Sequence, residues 1–455
     1  MTKQSLWHKV IFFMEATLKR TRSQTDLVSE EAKTRLPKRK VAVLIGYCGT
    51  GYHGMQLNYP HKTIEGDLFE AFCKAGAISK DNANDPKKSS LIRAARTDKG
   101  VHAAGNVISL KLIVEDPDIV AKINSNLPDQ IRVWGYSRTN KSFECRKCCS
   151  SRIYEYLLPT YTLMAPKPSS ALGRKITGKS SGELAEEADS YWAKVSEAIR
   201  EAGFTEEETQ TLEARSEEED AAIRDRLRQL KAVEATVRRA YRAHPKRIEG
   251  LQAALNKYQG VHNFHNFTVG QDFFDKSSIR IMKSLTVSEP KIIDGTEWVS
   301  IKIHGQSFML HQIRKMVAFA ALCVRTGAPP ERITTLFGKH KLGVPKAPAL
   351  GLLLEQPVYD GYNIKLRQFG HQELSFDQYA KEMDEFKQAH IYDKIHAQEA
   401  KENEFHAFFA YMDASQQSAV MDFLVDGVLT EAASKQAEEA EKEEAKEEEK
   451  DEDDR

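Results

Sequence analysis

Two spacings of apolar residues alternate along the chain. Val41-Ala-Val-Leu-Ile45 is an unbroken β-rich run after a polar lead, so folded structure is expected from residue 40. Thr63 precedes an apolar stripe of Ile64, Leu68, Ala71, Phe72 and Ala75, spaced as on one face of a helix. Its hydroxyl is of the kind that caps a helix N-terminus. Strands are predicted over residues 106–113 and 131–138. A helix over 118–126 lies between them and ends before Pro128. Residues 153–158 read as strand, 251–264 as helix, and 278–293 and 298–308 as strands. An amphipathic helix follows over 310–325, stopped by Gly327 and Pro329-Pro330.

The pattern divides the chain. Residues 1–39 form an N-terminal extension, expected to be partly disordered. In it Trp7, Val10, Ile11, Met14 and Leu18 have helical spacing. An α+β block spans 40–150, and a second spans 151–370. The second is interrupted over about 160–250 by a charge-dense stretch that favours helix and reads as a surface insert. Residues 371–430 form a helical C-terminal extension, with Phe376, Tyr379, Met383 and Phe386 at helical spacing. Residues 431–455 are acidic, of low complexity, and expected to be disordered.

Charge follows the same division. The chain carries 66 basic and 66 acidic residues, but 13 acids and 5 bases fall in 431–455, and 16 acids and 9 bases in 181–240. The remainder holds 52 bases against 37 acids, a surplus of +15. A basic body with acidic appendages suits a polyanion partner; solvated surface charge is the plainer reading. The longest apolar run, 316–324, is too short to cross a bilayer, so no membrane partner is expected. No charged-then-apolar segment ends in a small-residue cleavage site, which argues against secretion. Six cysteines in 455 residues do not make a disulfide scaffold and read as reduced thiols. Pro37-Lys-Arg-Lys40 suits a nuclear signal or the polar lead into a strand. The first 20 residues leave a mitochondrial presequence as a second reading.

Several motifs admit a chemical reading. Gly49-Thr-Gly-Tyr-His-Gly54 follows a strand but no helix opens after it, as a dinucleotide site requires. Close backbone approach is the better account of its glycines. Cys145 and Cys148 with His262 and His265 have an approximate zinc spacing, but their segments read as regular structure, and no metal is expected. In the loop at 96–102, Asp98 lies among Arg93, Arg96, Lys99 and His102. Cations around a carboxylate keep it ionised, as a nucleophile requires, and they also suit phosphates. A plain turn is the competing reading. Arg314 occupies an apolar helix stripe with Leu310, Val317, Ala318 and Ala321, where it either snorkels or meets a buried anion. Tyr154 and Tyr156 share a strand face that suits core packing or base stacking.

These segments resemble the TruA-type tRNA pseudouridine synthases, most closely their eukaryotic branch. The resemblance is carried by Lys40-Val-Ala-Val-Leu-Ile-Gly-Tyr47, Gly51-Tyr-His-Gly-Met-Gln56, Ala95-Arg-Thr-Asp-Lys-Gly-Val-His102, Ser151-Arg-Ile-Tyr-Glu-Tyr156, Gly260-Val-His-Asn-Phe264, Phe308-Met-Leu-His-Gln-Ile-Arg-Lys-Met316 and Pro348-Ala-Leu-Gly-Leu352. It covers roughly 40–160 and 251–362. It implies a fold of two α+β, ferredoxin-like halves whose strands join in one extended mixed/antiparallel sheet flanked by helices, with the active cleft between the halves. It makes Asp98 the nucleophile, Tyr154 the residue stacked on the target uracil, and Arg314 the partner of the aspartate. Arg96 matches the arginine that holds the flipped nucleotide's place. Lys99 stands where bacterial members have alanine.

The implied activity is isomerisation of particular uridines in tRNA, in or near the anticodon stem, with other structured RNAs as further substrates. The reaction involves no redox change and no net hydrolysis, so no cofactor is expected. Arg93, Arg96, Lys99 and His102 are the expected substrate-binding residues. The nucleus is the expected location, with the mitochondrion second. The oligomeric state is left open by the sequence: bacterial members pair up, and a monomer is favoured here because the insert, which has no bacterial counterpart, stands to block pairing. The alternative function is a non-catalytic RNA-binding protein or tRNA chaperone on the same fold.

Overall fold

The structure, a computed structural model, describes residues 36–178, 182–214, 221–415 and 418–429, with isolated residues between 431 and 439. The Trp7–Leu18 stripe and nearly all of the acidic tail lie outside the described residues.

Ten strands form one sheet. In the first half they are β1 (Lys38–Tyr47), β2 (Ile92–Arg93), β3 (His102–Ile113) and β4 (Ile131–Arg138). In the second they are β5 (Ser151–Pro159), β6 (Gly260–Asn263), β7 (Ile279–Val287), β8 (Lys291–Ile293), β9 (Thr296–Gly305) and β10 (Leu352–Val358). The sheet order is β4-β1-β3-β10-β5-β9-β7-β6, with β2 also on β3 and β8 on β9. Each half therefore repeats one order: β4-β1-β3-β2 in the first, β10-β5-β9-β7 in the second. This is the split βαβ arrangement that the family resemblance implies. Pairing within each half is antiparallel. The halves meet through a parallel contact of two residue pairs, Leu353 with His102 and Leu354 with Ala103.

The unbroken apolar run in β1 has a simple cause. Val41, Val43, Ile45 and Tyr47 face one core, and Ala42 and Leu44 face the other. A strand covered on both faces has no polar side to alternate with. On the first face lies the helix Ile64–Lys74, started by Thr63, whose Oγ1 accepts from the Gly66 N–H at 3.3 Å.

Three boundaries differ from the sequence reading. The helix expected over 251–264 runs from Pro245 to Asn256, because Pro245 fits a first helical turn and His244 Nδ1 accepts from the Lys246 N–H. Residues 260–263 are strand instead. The strand expected over 278–293 is two strands, since β8 folds back on β9 through Asp294-Gly295. Both of these have positive φ (46° and 80°), the signature of a tight hairpin turn.

The stretch 160–250 holds the helices Glu183–Glu201, Glu206–Ala214 and Ala221–Ala240. They enclose a small core of Val195, Ile199, Phe204, Leu212 and Leu230. Arg247, buried, ties them to the body through Glu187 at 2.6 Å. The segment after β10 is also helical, and Phe376, Met383 and Phe386 are part of the main core. Among the described residues no helix is long and apolar enough to cross a membrane.

Candidate active site

Asp98 lies in the loop between β2 and β3, and that loop is fastened from several sides. Thr97 Oγ1 is 2.9 Å from the Tyr47 hydroxyl, and both groups are buried. Asn106 Nδ2 donates to the Tyr47 hydroxyl at 3.3 Å and to the Ala95 carbonyl at 3.0 Å. The glycine-rich segment 49–54 supplies the outer wall. Met55 N–H donates to the Thr97 carbonyl, Gly100 N–H to the Tyr52 carbonyl, and Gly49 N–H to His102 Nδ1 at 3.1 Å. A Cβ on Gly49 would stand 2.2 Å from the Val101 oxygen, and one on Gly54, whose φ is +86°, 2.7 Å from the Thr97 oxygen. Gly49 and Gly54 are there for backbone contact with the Asp98 loop, as the sequence suggested.

The sheet register sets what faces this loop. Ala103 pairs with Leu354, and Leu354 with Tyr154. Tyr154 is therefore two strands, about 10 Å, from the base of the loop. Its half-buried ring meets Phe308 edge-on, with centroids 5.0 Å apart. Burial pushes its hydroxyl up to about 12, Arg152 pulls the other way, and the Asp98 charge adds to the rise. The phenol therefore stays neutral at physiological pH.

Arg314 enters from the first turn of the helix Gln312–Thr326. Its Nε donates to the Ala347 carbonyl at 2.6 Å, and the Ala347 N–H donates to the Arg314 carbonyl at 3.3 Å. Apolar helical spacing had left open whether this side chain snorkels or faces a site.

Asp98, Tyr154, Arg314, Arg96 and Arg93 line one cavity of about 770 Å³ between the two halves. Arg93 is also paired with buried Glu65, 2.5 Å away. Two expected substrate residues are not in the lining. Lys99 is exposed outside it, and His102 is buried behind the loop. Burial, with Lys394 nearby, drives the His102 imidazole down to about 4, so it is a neutral acceptor for Gly49. Three further arginines line the cavity: Arg146, Arg152 and Arg280. Sequence reasoning assigned them no role. Arg146 lies inside the Cys145–Cys148 spacing and Arg152 beside Tyr154, and only the fold shows that they converge. Cys145 Sγ instead donates to the Ile92 carbonyl at 3.1 Å. A second basic cavity adjoins the first through Arg152, Arg280 and Ser307, and adds Lys147 and Lys365.

One carboxylate among six arginines, with two aromatic rings, makes a cleft for a polyanion that contains a planar base. Comparison with known proteins narrows this class. A family profile described as tRNA pseudouridine synthase matches residues 254–360. A Yarrowia lipolytica protein named tRNA pseudouridine synthase 1 is 53% identical over 430 residues, covering 90% of this chain and 81% of the relative. Its Eremothecium gossypii namesake is 55% identical over 402 residues, covering 86% and 76%. A Saccharomyces cerevisiae protein named tRNA pseudouridine(27/28) synthase is 41% identical over 377 residues, covering 82% and 98%. The chain belongs to the TruA-type tRNA pseudouridine synthase family, within its eukaryotic branch.

Proposed function

We propose that this protein converts uridine to pseudouridine in tRNA, in or near the anticodon stem, with other structured RNAs as additional substrates. The observation that carries the reading is the placement of Asp98. Among the described residues it is the one carboxylate lining a cavity that holds six arginines and the Tyr154 ring.

The chemistry is an internal exchange. The bond from ribose carbon 1′ to base nitrogen 1 breaks, the base turns, and carbon 5 bonds to carbon 1′. The proton on carbon 5 is lost and nitrogen 1 gains one. The Asp98 carboxylate serves as the nucleophile, attacking carbon 1′ or carbon 6. The uridine must leave its stack, at a cost of a few kcal/mol. Stacking on Tyr154, worth about 1–3 kcal/mol, offsets part of this. Phe308, edge-on to that ring, limits its rotation. Arg314, oriented by Ala347, pairs with the Asp98 carboxylate, and Arg96 holds the place of the flipped nucleotide. Arg146, Arg152 and Arg280 engage the phosphates, and exposed Lys99 extends that contact outward. His102 acts indirectly, by holding Gly49.

A monomer is the favoured state, because the segment 376–402 already covers the sheet face opposite the cavity, over Gly105, Gly135, Glu155 and Glu355. Nuclear residence is proposed on the basic run 37–40, whose first residues are exposed at the start of β1. The mitochondrion is a second location, to be resolved by imaging the tagged full chain. Mapping pseudouridines across total RNA with and without this protein tests the function. Sites in tRNA should disappear without it, and unchanged tRNA maps would overturn the reading.

A further inference from the structure

The parallel contact between β3 and β10 is a thin seam for an active site that spans it. Asp98 belongs to the first half and Tyr154 to the second, yet the halves share two residue pairs. The segment 376–402 crosses the seam on the opposite side of the sheet. On the first half, Phe376 and Met383 lie over Gly105 of β3, where a Cβ would meet them at 3.0 and 3.2 Å. Tyr379 lies over Gly135 of β4, and Phe386 meets Trp134 edge-on at 5.4 Å. On the second half the contacts are polar. Strand alternation points Tyr154 and Leu354 one way and their neighbours Glu155 and Glu355 the other. The Tyr392 hydroxyl donates to Glu155 Oε2 at 2.6 Å, and Ser300 donates to the other oxygen. Lys387 Nζ donates to Glu355 Oε1 at 2.9 Å and also pairs with Asp384 at 3.0 Å.

Lys387 and Tyr392 begin and end a π-helical turn. In an α-helix, residues five apart point about 140° away from each other. The i→i+5 bonding of a π turn brings them to nearly one face. Lys387 Nζ accordingly lies 5.8 Å from the centre of the Tyr392 ring, and both side chains reach the back of the central strands. The helix irregularity falls where two carboxylates on the strands that present the cavity, Glu155 buried and Glu355 partly buried, need partners.

We infer that Lys387 and Tyr392 are positioning residues: they clamp β5 and β10 from behind and so set where Tyr154 stands relative to Asp98. This rests on the proposed function. Losing the clamp slows chemistry without weakening RNA capture, because the cationic cavity is on the other face.

The test measures single-turnover pseudouridine formation at saturating full-length enzyme, with tRNA affinity and thermal melts alongside. Tyr392→Phe removes one hydroxyl, and Lys387→Met removes one charge. Each should lower the single-turnover rate about 10- to 100-fold, while the Kd for tRNA stays within about twofold. Glu355→Gln added to Lys387→Met should recover much of the rate, because it removes the charge left without its lysine. A rate per folded enzyme equal to the parent's in both single variants would overturn the inference, even with a lowered melting temperature. So would failure of the double variant to exceed Lys387→Met. The assignment of the active site fails separately, through an Asp98→Asn protein that remains active.

Discussion

Arg314 and Ala347 hold each other twice, side chain to backbone at 2.6 Å and backbone to backbone at 3.3 Å. A guanidinium held at Nε presents a planar fork to an anion, a geometry that lysine cannot reproduce. Arg314→Lys should therefore lower the rate constant for pseudouridine formation by at least about 100-fold, with tRNA affinity changed little. Near-parental turnover would mean that positive charge alone suffices.

The glycine wall makes a sharper steric claim. Gly49→Ala places a methyl group 2.2 Å from the Val101 carbonyl oxygen, a backbone atom with little room to yield. We expect a loss of about 1–3 kcal/mol in stability and a larger loss of activity than of tRNA binding, since the displaced loop carries Asp98. Denaturant melts and single-turnover rates measure the two effects.

His102 gives a pH signature. Its pKa is about 4 in the folded chain against an ordinary 6.5, so the unfolded chain takes up the proton first as pH falls. Its contribution to stability is complete above pH 6.5 and is lost as pH falls from there towards 4, for a total of about 3 kcal/mol. Burial accounts for most of the shift, and nearby Lys394 for the rest. His102→Gln keeps an acceptor for the Gly49 N–H but cannot titrate. Its stability should fall less steeply over that range, by up to one proton; an unchanged slope would refute the assignment.

Much of this was legible in the chain itself. The Thr63 cap, the strand at 131–138 and the helix stop at Gly327 follow from local chemistry, and the structure has all three. The Asp98 loop was visible because its cations fall within ten residues of sequence, 93–102. Arg146, Arg152 and Arg280 were not, because three separate segments bring them to one cavity. His102 looked like a fourth polar neighbour of Asp98. It opens β3, however, and its imidazole is turned to Gly49 and away from the cavity. The aromatic spacing at 376–386 gave a helix but not its partners. Gly105 and Gly135, which receive those rings, lie more than two hundred residues earlier in the chain.

The three arginines found only in the fold should act chiefly on affinity. Arg146→Gln and Arg280→Gln are each expected to weaken tRNA binding and to reduce the slope of log Kd against log salt by about 1. Catalysis at saturating enzyme should be much less affected. A slope unchanged in both variants would place the phosphates elsewhere.

The most direct test of the whole account is Asp98→Asn, which keeps the size of the side chain and removes its charge. The account predicts no detectable pseudouridine in tRNA after prolonged incubation, with the Kd for tRNA within about twofold of the parent, because the arginines are untouched. Pseudouridine formed at the parental rate by this variant would contradict it.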